Sequence, residues 1–179
     1  MLAPGTPLAA EPAREAYVRE NVAVWRAGWS LWIVAAISLL VFYRWWAARV
    51  SGGGVPLAGT RVGGGGVPLA LAVLGFAADI TAESVLIVLA PDRPGLARAS
   101  FALTGGAANG LYTLAGALLT LRTPGMRGAF ALWTWAIWGS GAVLSAAALA
   151  EVPLAVAAAS AVLFALFVPW CVAMGRRLA

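Results

Sequence analysis

Asp79 and Glu83 stand four residues apart in the stretch "GFAADITAESVLIVLAPD", residues 75–92, inside an apolar run long enough to be a helix. Helical spacing puts both carboxyl groups on one face, together with Gly75. Two acids so placed can hold a proton, bind a cation or small cationic solute, or work as an acid–base pair. The enzymatic use has the least support. The chain has no histidine, and neither a nucleophile elbow nor a phosphate loop accompanies the pair. With Cys171 the one cysteine, a histidine-ligated haem, a zinc site, an iron–sulfur cluster and a disulfide framework are all implausible from this chain alone. Lysine is absent, which excludes a retinal or pyridoxal Schiff base. No cofactor and no metal is expected.

The next apolar run, "FALTGGAANGLYTLAGALLTL" at residues 101–121, offers polar partners. Gly105, Asn109, Tyr112 and Gly116 follow α-helical spacing and form one stripe, with Asn109 at about the depth of Asp79. An amide and a phenol buried there need partners that a carboxyl group supplies, so Asn109 and Tyr112 are expected beside Asp79. Gly106 and Gly110 make a second, GxxxG face for close approach to another helix. No arginine stands inside a span at that depth, so a proton or a bound cation must compensate the acids. A plain packing role, with Asp79 hydrogen-bonding Asn109, accounts for one acid and leaves the second without a purpose.

The surrounding elements belong in a bilayer. Of 179 residues, 62% are hydrophobic and 11% charged, and the mean hydropathy is +0.88, more apolar surface than a small water-soluble domain can bury. Charges and prolines divide the chain into five apolar runs, at about residues 25–47, 68–90, 99–121, 129–150 and 153–175. Each is near the roughly 20 residues that cross about 30 Å of hydrocarbon. The expected fold is an all-α integral membrane protein, one membrane domain built as a five-transmembrane-helix bundle. Residues 48–67, with GGGVPLA present twice, are expected to form a flexible glycine-rich loop between the first and second helices. Residues 1–24 precede the first span, do not resemble a cleaved signal peptide, and contain a stretch suited to an interfacial helix.

The acids cost the second span most of its insertion energy. Its eleven Leu, Ile, Val and Phe residues between Leu69 and Leu89 contribute about −0.3 to −0.6 kcal/mol each, against about +2.5 to +3.5 for a central Asp and somewhat less for Glu83. This helix must lean on its neighbours, with both acids facing the bundle interior or a wet cavity.

Nine tryptophans gather near the span ends and suit an interfacial belt, although Trp32 and Trp138 lie deep enough to line a pocket. The twelve arginines sit almost entirely between the apolar runs or at their ends, and this makes the +5 net charge a product of topology, not of nucleic-acid binding. An odd number of spans sets the termini on opposite sides. Seven arginines against five then favour a cytoplasmic C-terminus and a multi-pass inner-membrane protein.

These features point first to binding of a proton, cation or small cationic solute at Asp79 and Glu83, for transport or sensing, with a cavity reaching the pair from one side. The alternative is a non-catalytic accessory subunit of a larger membrane complex, without a cavity. Five spans do not divide into equal repeats, so a transporter would call for a homo-oligomer.

Overall fold

The computed structural model describes residues 11–51 and 66–178. The glycine-rich loop expected at 48–67 falls almost wholly outside the described residues. Within them every element is helical: α1 (Glu11–Glu20), α2 (Val22–Val50), α3 (Gly66–Val88), α4 (Leu96–Phe101), a π-helical segment (Ala102–Ala108), α5 (Asn109–Arg122), α6 (Gly128–Leu149) and α7 (Pro153–Leu178). Four of these, α2, α3, α6 and α7, are long and apolar enough to cross a bilayer.

The run expected to give a uniform third span departs from that reading. Residues 96–122 are helical throughout, but π-helical turns interrupt the α-helix. Gly105 and Gly106 lie within the interruption, where the low helix propensity of glycine weakens the competing α-helical register. Elsewhere the punctuation acts as its chemistry requires. Pro153 opens α7, where its missing N–H would lack a partner anyway. The chain leaves α6 through a Schellman motif, with Glu151 N–H on Ala148 O and Val152 N–H on Ala147 O. Glu151 occupies the left-handed position of that motif at φ 55°, where glycine is usual.

Consecutive helices pack side by side: α2 on α3, α3 on the π segment and α5, α5 on α6, and α6 on α7. α2 and α7 meet mainly through aromatic side chains, among them Trp32 with Phe164, Phe42 with Phe167 and Trp46 with Trp170. Two packed regions close the bundle at its ends. At the α2 N-terminal end Val18, Trp25, Leu86, Ala90 and Ala97 come together, and the Trp25 indole donates to Leu86 O at 2.6 Å. Arg26 donates to Ile87 O, so α2 supplies donors to two carbonyls in the last turn of α3 that lack helical partners.

At the opposite end Trp46, Trp138 and Trp170 are buried and stack edge and face on one another. Each indole N–H has a threonine to receive it: Thr123 at 2.9 Å, Thr120 at 2.8 Å and Thr134 at 2.8 Å, respectively. Each threonine hydroxyl in turn donates to a backbone carbonyl four residues back. The polar tips that would fit these rings to a membrane interface are thus used inside the bundle. An interfacial belt is therefore the wrong description of Trp46 and Trp170, while Trp138 lies inside the bundle as its depth in the span suggests.

Candidate functional site

α3 carries both acids, and Gly75 brings that face against the neighbouring helix. A Cβ at Gly75 would lie 3.1 Å from Ala108 O and 3.2 Å from the Tyr112 ring, so the close approach depends on glycine. One turn on, Asp79 is 5% exposed and accepts a hydrogen bond from the Thr104 hydroxyl. The Tyr112 hydroxyl is buried beside the same carboxyl group without reaching hydrogen-bond geometry. Tyr112 is fixed from behind by Tyr43, whose hydroxyl donates to Tyr112 O at 2.6 Å while the two rings stack.

Asn109 does not pair with Asp79. Its amide donates to Gly141 O and to Ser145 Oγ, both at 2.8 Å, on α6. The π turns explain the exchange of partners. A π-helix advances fewer degrees per residue than an α-helix, so Thr104 is carried round to the side of Tyr112, facing α3. Gly105 and Asn109 are left facing α6, where Gly105 packs on Ala148. The expected stripe straddles two neighbours instead of serving one.

Glu83 is 0% exposed, and neither carboxylate oxygen has a hydrogen-bond partner. Asp79 and Glu83 therefore share a helix face but not an environment. A buried acid without a partner is costly to ionise, and a compensating proton or cation removes that cost.

Asp79 also lines a cavity of about 1040 Å³ bordered by α2, α3, the π segment, α5, α6 and α7. The cavity extends along α2 from Trp29 to Tyr43 and along α7 from Pro153 to Cys171, and its walls are mostly carbon. Trp32 and Trp138 are among its walls, as are Asn109 and Tyr112, whereas Glu83 is not. Its floor rests on the tryptophan–threonine layer. Its opposite end carries Arg14, Arg98 and Glu151. Arg98 grips Glu151 with two hydrogen bonds, of 2.7 and 2.5 Å, which hold the Glu151 carboxyl below the usual glutamate range.

Sequence spacing located Asp79 and Glu83 but not Thr104, Tyr43 or Arg14. Thr104 beside two glycines was the available sign of the departure from the α-helix there. Among the described residues no group of three or more His, Cys, Asp or Glu side chains gathers to hold a metal ion. Comparison with protein-family models, with curated proteins and with solved structures finds no match.

Proposed function

We propose that this protein binds a small organic cation at Asp79, in the cavity that reaches it, as a step in transport or sensing. The observation that carries this reading is one buried carboxyl group opening onto a large carbon-lined cavity. A bare metal ion would want several oxygen ligands, and the site offers few. An organic ammonium needs one carboxylate and apolar or aromatic surface for its body, both of which are present. The cavity also distinguishes this reading from an accessory subunit, which needs only tight helix faces.

In the same reading α4, the π segment and α5 together form a fifth membrane crossing. Irregular helix is tolerated at that depth because it is covered by α3 and α6 and borders a cavity. The end of the bundle bearing the α2 C-terminus faces the cytoplasm. Among the described residues it carries Arg44, Arg49, Arg122, Arg127, Arg176 and Arg177.

Tryptamine, an ammonium on an aromatic body, is a suitable probe. Calorimetric titration into the purified protein should give saturable binding to the wild type and at least about tenfold weaker binding to Asp79→Asn, a loss of about 1.4 kcal/mol or more. Thermal unfolding of both proteins checks that the fold is kept. Equal affinity in two equally folded proteins would reject the assignment.

A further inference from the structure

The end of the cavity that carries the Arg98–Glu151 pair also carries a further cation, Arg14. Arg14, on α1, is 8% exposed and lines the cavity, with its guanidinium 5.2 Å from the centre of the Phe101 ring. Among the described residues it has neither an ion pair nor a hydrogen bond from its guanidinium, whereas neighbouring Arg98 is held by Glu151. α1 is fastened at this place by Val18, which is buried against Trp25, Leu86, Ala90 and Ala97. The guanidinium is thus positioned at this end of the cavity by its own helix.

The π segment relates the two charges. Arg14 lies over Phe101 and Asp79 accepts from Thr104, three residues further along. Cation and acid therefore line the same cavity, with Arg14 at the end that also carries Arg98 and Glu151. Aromatic side chains line the cavity on both sides of Asp79, with Trp29 and Phe101 toward Arg14 and Phe42, Tyr43, Trp138 and Phe167 toward the floor.

We propose that the cavity selects an amino-acid-like zwitterion with an apolar body: carboxylate on Arg14, ammonium on Asp79, body against the aromatic floor. This rests on the assignment of Asp79 as the cation site and adds what the ligand must carry beside its ammonium. A guanidinium is suited to this task, because its fork of donors matches a carboxylate and its charge persists in a partly desolvated site. The volume admits bodies longer than an indole, at the upper end of the usual range for drug-sized ligands. Tryptophan is a compact probe that carries all three features.

Three ligands with one body test this: L-tryptophan, tryptamine without the carboxylate, and indole-3-propionate without the ammonium. Titration into the full chain should show tryptophan binding at least about tenfold tighter than tryptamine, as a charge-assisted contact is worth. Indole-3-propionate should be the weakest. In Arg14→Gln the tryptophan preference should collapse to near unity, with tryptamine binding at least as tightly as to the wild type because a like charge has left the cavity, and Arg14→Lys should restore part of the preference. Tryptamine binding as tightly as tryptophan in the wild type, or a preference that survives Arg14→Gln, overturns the zwitterion proposal and leaves the cation site standing. Absence of Asp79-dependent binding by both amines overturns the cation site itself, and the zwitterion proposal with it.

Discussion

Asp79 and Glu83 differ by a single helical turn and by almost everything else that matters to a carboxyl group. Asp79 has a hydroxyl donor and borders the cavity, while Glu83 is sealed away with both oxygens unpartnered. Opposite effects on stability should follow. Glu83→Gln should leave thermal stability unchanged or raise it, because removing an unsatisfied buried acid forfeits no contact. Thr104→Val should lower stability by about 1–3 kcal/mol, because it strips Asp79 of its donor. Unfolding curves in one detergent measure both, and a strongly destabilised Glu83→Gln would mean that Glu83 has a native partner. The shared face of Gly75, Asp79 and Glu83 was legible in the sequence because α3 is a regular helix with a fixed period. Thr104 was not legible, since its direction depends on turns of another pitch. The inward Trp46 and Trp170 were hidden for a related reason, because a tryptophan near a helix end looks the same whether its N–H meets water or a threonine.

At the level of elements, the helix lengths and turns followed from apolar runs and from proline, glycine and charge. The π segment did not, since its alternative is an α-helix of similar composition. Small residues set how closely α5 and α6 approach. A Cβ at Gly141 would lie 2.3 Å from Thr113 Oγ1, whereas one at Gly139 meets nothing within 4 Å. Thr113 is β-branched and has little freedom to give way. Gly141→Ala should therefore cost about 1–3 kcal/mol, the usual range for overpacking. Gly139→Ala, which fits in open space, should be neutral or slightly stabilising through helix propensity. Equal stabilities for the two variants would contradict the packing.

The turn between α6 and α7 responds to acid. Glu151 holds a left-handed conformation and the Arg98 hydrogen bonds together, and those hydrogen bonds lower its pKa. A carboxylate lowered in this way contributes stability that is present above its ordinary pKa of 4.5 and is lost as pH falls through its lower, bridged value. The pair is exposed, so the contribution is small. Wild type should exceed Glu151→Gln slightly in thermal stability at pH 7, with the difference vanishing as the pH is taken well below 4.5. A difference that grows in acid would reverse the sign and refute the assignment.

For the whole molecule, membrane character followed from composition alone, while the cavity could not be read from it. A cavity forms because α2 and α7 touch through aromatic rings at intervals along their length, leaving room between, and no local pattern records that spacing. Orientation rests on the arginines. A reporter that is active only in the cytoplasm, fused after Ala179, should be active, and an inactive but well-expressed fusion would reverse the topology. The claim on which the rest depends is that an organic cation occupies the cavity at Asp79. Its most direct test is an experimental structure of the protein with 5-bromotryptamine, the bromine located by its anomalous scattering. The expected result places the ammonium at hydrogen-bond distance from the Asp79 carboxylate, about 2.7–3.2 Å, with bromine among Phe42, Trp138 and Phe167. Bromine outside this cavity, or an ammonium that makes no contact with Asp79, would contradict it.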